Sequence, residues 1–450
     1  MAKLTRLRGF QDQLGAEAEM LSLVEARAKE VARRYSLGEI RIPMMERIQL
    51  YERSTGETSD VVAKQMYVVK HAQESSAADT MVLRPEGTPG VVRAYIEAGL
   101  DRSDPEQRFF YCGPMLRYER PQKGRFRQFH QFGVEVFGRA DPACDAELLV
   151  MIDDLRRELD LELDFEVNSL GCTKCRPAFR EALLAFGRAH LESLCADCHA
   201  RLERNPLRIL DCKNDVALAE QAPKSIDYLC PDCRRHFDTV LDLLRHSGVA
   251  VTVNPRIVRG LDYYVRTTFE ISSRALGAQN AVAAGGRYDG LVETLGGAPV
   301  PGTGFAIGLE RLVIAMAGSR SGWGSLSGSR CGKKSFSGSQ SGAMPASISR
   351  TASPLDAAVL ALGEEALPKA AALAREIRHS GLAVEFVSPA RGLKAQLRRA
   401  DRAGARFAVI IGEDELSRGV ATLRDMTSGA QRDVQLEQAA QAVRAAAAES

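Results

Sequence analysis

No apolar run in the 450-residue chain is long enough to cross a bilayer, so no membrane-spanning helix is expected. The opening stretch "MAKLTRLRGFQDQ" lacks the apolar core of a secretory signal, which predicts a cytoplasmic chain. Charge of one sign is missing too. The formal net charge is only +2, so any nucleic-acid surface has to be local rather than global. There is no Gly-x4-Gly-Lys-Ser/Thr, which excludes a P-loop. Ten cysteines are present, and without a secretory signal they read as reduced thiols or metal ligands rather than disulfides.

What is present suggests several folded units. Met20, Leu21, Leu23, Val24, Ala28, Val31, Ala32 and Tyr35 keep a helical period, and a strand-like "EIRIP" follows and stops at Pro43. A second helix pattern spans about 90–99. Two strand patterns, "RFFYCGPMLRY" and "FRQFHQFGVEVF", flank the polar turn "ERPQKGR". A helix near 145–159 and a strand "DFEVNSLG" come next. Residues 172–248 are cysteine-rich and mostly helical, and they read as an insertion that splits one unit into 1–171 and 249–317. Residues 318–354 turn sharply to Ser and Gly. Such a stretch buries too little apolar surface to offset its ordering entropy, so a flexible linker is expected. The remaining 355–450 read as an independent α/β unit, with strand patterns "LDAAVLAL", "LAVEFV" and "ARFAVIIG" between helix patterns.

The chemistry concentrates around the two strands. Their turn and flanks carry Arg117, Arg120, Lys123, Arg125 and Arg127 against one acid, Glu119. An ordinary solvated hairpin tip would show the same charges. Period two, however, places Arg127, Phe129, Gln131, Gly133 and Glu135 on one face. A cation, an aromatic ring, an amide, a glycine and a carboxylate suit a polar, planar, charged ligand better than a core. "GTGFAIG" resembles a dinucleotide fingerprint but has its third glycine one residue late and no βαβ unit around it. It is followed by Glu310 and Arg311 at a helix start.

Taken in order, five segments resemble the histidyl branch of the class II aminoacyl-tRNA synthetases. "GPMLRYERPQKGRFRQFHQFGVEVFG" is similar to motif 2 and "PGTGFAIGLERL" to motif 3. "VRGLDYYVRTTFE" and "AAGGRYDGLVE" resemble the two segments peculiar to that branch, and "LRPEGT" its substrate loop. The helix-strand-Pro43 stretch resembles motif 1, which in the family builds a dimer interface. The resemblance implies an α+β fold: a class II antiparallel sheet with flanking helices, a helical insertion, and a C-terminal α/β anticodon-binding domain. It implies a homodimer that joins L-histidine to tRNA(His) through a histidyl-adenylate, using ATP with Mg²⁺.

Two anions meet in the first step of such a reaction, and fixed cations are the remedy. By resemblance, Arg259 and Arg117 would be the catalytic cations at the α-phosphate. Phe129 and Arg311 would sandwich the adenine, with Arg311 near the outer phosphates, so that ATP is held by Arg117, Phe129, Arg259 and Arg311. Glu86, Gly87 and Thr88 would meet the histidine ammonium. Gln131, Glu135 and Tyr264, with Tyr263 and Tyr288 lining the pocket, would read the imidazole. Gln122 and Arg125 would approach the tRNA acceptor end.

Three Cys-x2-Cys pairs occur: Cys172/Cys175, Cys195/Cys198 and Cys230/Cys233. Any two could form a tetrahedral thiolate zinc site, and six reduced cysteines are the alternative. The preferred set is Cys195, Cys198, Cys230 and Cys233, with Cys212 read as merely buried. In the C-terminal unit, "RGLKAQLRRADRAGAR" carries six basic residues and one acid, which suits contact with phosphate or an ordinary solvated face. The rival to a ligase is a histidine-binding regulatory subunit of ATP phosphoribosyltransferase. Proteins of that kind resemble the catalytic half and lack the anticodon-binding unit.

Overall fold

The computed structural model describes residues 4–55, 65–70, 80–122, 124–212, 214–258, 263–277, 280–319, 355–387, 389 and 391–449. Arg259 and the serine/glycine stretch from 320 to 354 lie outside the described residues, as does Lys123.

The strands in chain order are Gly38–Glu39 (β1), Met45–Arg47 (β2), Tyr67–Val69 (β3), Met81–Leu83 (β4), Arg108–Leu116 (β5), Gln128–Phe137 (β6), Asp164–Ser169 (β7), Thr252–Val253 (β8), Val265–Ser272 (β9), Ala281–Arg287 (β10), Gly302–Gly308 (β11), Leu355–Ala361 (β12), Val384–Phe386 (β13), Ala405–Ile411 (β14), Val420–Asp425 (β15) and Gln431–Gln435 (β16). Among the described residues, one sheet has eight strands in the order β1-β5-β6-β11-β10-β9-β7-β8. Its central pairings are antiparallel, and only the short edge strands β1 and β8 pair in parallel.

Strand β6 shows why this sheet has two unlike faces. Phe132, Val134 and Val136 are fully buried and share a core with Leu21, Val24 and Ala28 of the helix Ala16–Arg34 and with Leu148, Leu149 and Ile152 of the helix Pro142–Glu158. Alternation then sends Phe129, Gln131, Gly133 and Glu135 to the opposite face. Hydrophobic burial of the first set therefore fixes the orientation of the second.

A three-stranded sheet, β2-β4-β3, carries the "LRPEGT" turn towards that second face. Buried Arg84 donates from Nη1 to the Ile42 carbonyl at 2.6 Å and from Nε to Pro114 at 2.9 Å, which pins the turn to β5. The helix Thr88–Glu97 then begins, with a proline in its first turn and Val91, Val92 and Tyr95 buried.

The insertion is helical as expected, with helices Arg176–Ala189, Ala196–Arg201, Val216–Gln221 and Pro231–His246. The helix after β11 runs to Ser319, slightly beyond where the composition change at 318 suggests. The C-terminal strands form a separate five-stranded sheet, β13-β12-β14-β15-β16, parallel in its first half and antiparallel in its second. Its helix Leu367–His379 packs on helix Pro142–Glu158 through buried ions. Arg378 Nη2 lies 2.6 Å from Glu147 Oε1, and Arg375 Nη2 lies 2.6 Å from Asp154 Oδ1.

Candidate active site

A cavity of about 310 Å³ opens on the polar face of the large sheet. Its two ends differ in chemistry.

One end is acidic and phenolic. Glu135 is fully buried and accepts a 2.6 Å hydrogen bond from the Thr88 hydroxyl and another from the Tyr288 hydroxyl. Burial raises its pKa to about 8, although both hydroxyl bonds pull in the opposite direction. Glu86 is buried nearby, with the Tyr263 hydroxyl 3.4 Å from its Oε2. Tyr263, Tyr264 and Tyr288 form a ring cluster with centroids 4.6 to 6.5 Å apart. Gln131 faces the cavity, and its Oε1 is buried without a hydrogen-bond partner among the described residues.

Two glycines make this crowding geometrically available. A Cβ at Gly133 would lie 2.1 Å from the ring of Tyr111, and one at Gly304 would lie 2.2 Å from Glu135 Oε2. Gly304 pairs directly opposite Glu135, and Gly133 opposite Tyr111. Gly87 sits against the same Tyr111 ring.

The other end is basic and aromatic. The Arg117 guanidinium lies 5.4 Å from the centre of the Phe129 ring, and its Nε donates to the Pro85 carbonyl at 2.8 Å. Arg311 lines the same end and donates from Nε to the Gly124 carbonyl at 3.0 Å and from Nη1 to the Ala281 carbonyl. Glu310 receives the His130 backbone N–H at 2.9 Å and lies 2.8 Å from its ring Nδ1, which fastens β6 to the helix that carries Arg311. This contact raises the His130 pKa. Glu119 pairs with Arg125 at the rim, and both line the cavity.

The structure therefore gathers Glu86, Thr88, Arg117, Arg125, Phe129, Gln131, Tyr263, Tyr264 and Arg311 around one space, from segments far apart in the chain. Glu135 lies directly beneath Thr88. Gln122 is exposed outside the cavity and bridges Arg125 in the turn. Arg127 leaves the face on which alternation places it. Its guanidinium stacks 4.1 Å from the centre of the Tyr118 ring and donates to the Arg8 carbonyl at 3.3 Å. Strand β6 begins only at Gln128, so period two does not extend to residue 127. Arg259 lies outside the described residues. Sequence reasoning missed the ordering roles of Arg84, Tyr111 and the His130–Glu310 pair. For Tyr111 no sequence signal was available, because Gly133 opposite it on β6 and Gly87 at the helix start meet its ring only in the folded chain.

The cysteine set Cys195, Cys198, Cys230 and Cys233 is corrected. Cys230 and Cys233 join Cys172 and Cys175, whereas Cys195 and Cys198 join Cys212 and Asp215. The physical reason is the return of helix Pro231–His246 to the neck of the insertion, beside the start of helix Arg176–Ala189, while the other group occupies the tip. Cys212 is thus a member of a cluster and not simply buried.

Comparisons with known proteins agree along nearly the whole chain. The family model described as Histidyl-tRNA synthetase matches residues 9–312, and the one described as Anticodon binding domain matches residues 356–446. The chain is 44% identical to the Histidine--tRNA ligase of Geobacter sulfurreducens over 96% of its own length and 97% of the relative's. It is 42% identical to that of Desulforamulus reducens with the same coverage, 96% and 97%. The crystal structure of apo S. aureus histidyl-tRNA synthetase superposes with a TM-score of 0.57 at 30% identity, covering 98% of this chain and all of that one. Among the described residues no helix is long and apolar enough to cross a membrane. With its class II sheet, its two-ended cavity and these matches, the chain belongs to the histidyl-tRNA synthetase family.

Proposed function

We propose that the chain is a histidine–tRNA ligase that works in two steps within this cavity. A carboxylate oxygen of histidine attacks the α-phosphorus of ATP. The bond from that phosphorus to the bridging oxygen breaks, and pyrophosphate leaves. A terminal ribose hydroxyl of the tRNA then attacks the acyl carbon, its proton is lost, and AMP leaves.

The observation that carries this reading is the pairing of opposite chemistries in one cavity. The acidic, phenolic end suits an ammonium and an imidazole, and the basic, aromatic end suits a nucleotide. Glu86 would take the ammonium, with Gly87 and Thr88 shaping the turn around it. Glu135, Gln131, Tyr263 and Tyr264 would read the ring, which offers two nitrogens and so rejects analogues that lack one. Phe129 and Arg311 would hold the adenine, and Arg117 the α-phosphate. By its place in the family motif, Arg259 would be the second cation there. Both guanidiniums would act on charge that is greatest in the transition state. Glu119 and Glu310 offer hard oxygen donors at the nucleotide end, which fits a Mg²⁺ carried chiefly by the phosphates. When bound, that ion would neutralise charge on the departing pyrophosphate. Gln122 and Arg125, at the turn, would meet the acceptor end, and the domain at 355–450 the anticodon. A homodimer in the cytoplasm completes the proposal and rests on the family alone.

The regulatory-subunit reading is set aside, because the chain spans ligases nearly end to end and carries the anticodon-binding match. Histidine-dependent exchange of pyrophosphate into ATP tests the proposal. Arg259→Ala is expected to lower exchange about 10²-fold or more while histidine still binds. Unchanged exchange in that variant would remove Arg259 from the mechanism, and no exchange in the parent protein would defeat the ligase reading.

A further inference from the structure

We propose that the insertion holds two structural zinc ions, one at its neck and one at its tip, and that the neck ion sets the position of the tyrosines in the histidine pocket. The second clause rests on the ligase reading above.

At the neck, Cys172 Sγ lies 3.7 Å from Cys175 Sγ and 4.0 Å from Cys230 Sγ, and with Cys233 Sγ all four lie within 4.8 Å of one another. Zinc–thiolate bonds of about 2.3 Å in a tetrahedron put sulfurs about 3.8 Å apart. These separations are nearly twice a disulfide bond, and no disulfide is formed among the described cysteines. They are also too short to enclose a multi-iron cluster, so a single ion fits. The Cys230 backbone N–H points at Cys175 Sγ at 3.2 Å, as a thiolate needs. Cys175 and Cys230 cap helices of 14 and 16 residues, whose positive ends favour the anionic site.

At the tip, Cys195, Cys198, Cys212 and Asp215 form a second group within the same limits. Cys195 and Cys212 sulfurs are 3.7 Å apart, and Asp215 receives the Cys195 N–H at 3.0 Å. Among the described residues the surrounding core has four buried members, Leu194, Cys198, Leu202 and Ile209. Helices of six residues flank it. So little apolar burial does not fix a fold, and a metal supplies the missing order.

The neck is coupled to the pocket by short, direct contacts. Leu170 N–H donates to the Arg266 carbonyl and Arg266 N–H to the Gly171 carbonyl, both at 2.8 Å. Arg176, next to Cys175, donates to the Tyr264 carbonyl. Arg266 has φ of +49°, a left-handed conformation that its surroundings have to hold in place. The neck cysteines thus clamp the segment from which Tyr263 and Tyr264 enter the cavity.

Metal analysis of the full chain, purified without chelator, tests this directly. Two zinc ions per chain are expected, with one each in Cys172→Ser and Cys195→Ser. Replacement by cobalt in the parent protein should give the absorption bands of tetrahedral thiolate coordination, a readout that needs no variant. Less than half an equivalent of zinc in the parent protein, with no cobalt bands, overturns both sites. Iron at the same stoichiometry keeps the sites and overturns zinc as the occupant. In pyrophosphate exchange, Cys172→Ser should raise the histidine KM about tenfold, and Cys195→Ser should leave it unchanged. Equal KM in all three proteins overturns the link from neck to pocket. Two bound zinc ions without exchange in the parent would strike the ligase reading and leave the metal sites standing.

Discussion

Glu135 has no contact with water, and its carboxyl is pushed up to about 8 by that burial. At neutral pH it therefore carries a proton that a free imidazole, with a pKa of about 6.5, does not. With the imidazole against Glu135, as proposed, histidine binding would need one proton shared between ring and carboxyl. Between about pH 6.5 and 8 the separated partners already hold that single proton, so no net exchange occurs. Above about 8 binding takes a proton up, and below about 6.5 it releases one. Affinity should be flat inside that window and fall on both sides, which calorimetry in buffers of different ionisation heat will read as proton uptake and release. Glu135→Gln should remove the alkaline arm and weaken binding about 10- to 100-fold. The same titration bears on stability without ligand. The native state binds this proton more tightly than the unfolded chain, so the contribution is complete below the ordinary carboxyl range. It is lost as pH rises through about 8.

At the scale of elements, β6 and β11 place the site by leaving space as much as by supplying groups. Gly133→Ala would drive a methyl into the Tyr111 ring, and Gly304→Ala would drive one into Glu135. Each should cost about 1–3 kcal/mol of stability and weaken histidine binding, while far-ultraviolet circular dichroism stays unchanged. Thermal unfolding and equilibrium dialysis of the two variants will check this. The two-faced character of β6 was legible because alternation is local: Phe129 and Gln131 line the cavity, and Glu135 lies on the same face beneath Thr88, as period two requires. Arg127 escaped because a turn's geometry, not a strand's, governs its direction. The cysteine grouping was not legible for a different reason. Which Cys-x2-Cys pairs meet depends on where helix Pro231–His246 returns, and that is decided by tertiary packing rather than spacing. Tyr111 was equally hidden, since its neighbours Gly87 and Gly133 come from separate elements.

Across the whole molecule, the C-terminal α/β unit is joined to the large sheet's helices by buried ions. Arg375 pairs with Asp153 and Asp154, and Arg378 with Glu147, while the Tyr35 hydroxyl donates to Asp154 at 2.6 Å. His379, Arg375 and Tyr35 together hold the Asp154 carboxyl down at about 2 despite its burial. That depressed value means its contribution is present above the ordinary carboxyl range and is lost only as pH falls through about 2. Removing one partner strands a buried charge, so Arg375→Ala should destabilise the protein by about 3–5 kcal/mol. Differential scanning calorimetry is expected to show the unfolding transition splitting in Arg375→Ala and remaining single in the parent. The order of family-like segments along the chain made the architecture readable from sequence, but these contacts were not, because buried arginine–carboxylate pairs carry no periodic signature. In the proposed reaction one cavity holds histidine at its acidic end and the nucleotide at its basic end. A crystal structure with a non-hydrolysable histidyl-adenylate analogue tests it most directly. The imidazole is expected against Glu135 and Tyr264 and the adenine between Phe129 and Arg311. An analogue bound elsewhere, or bound in this cavity with its two ends reversed, would contradict it.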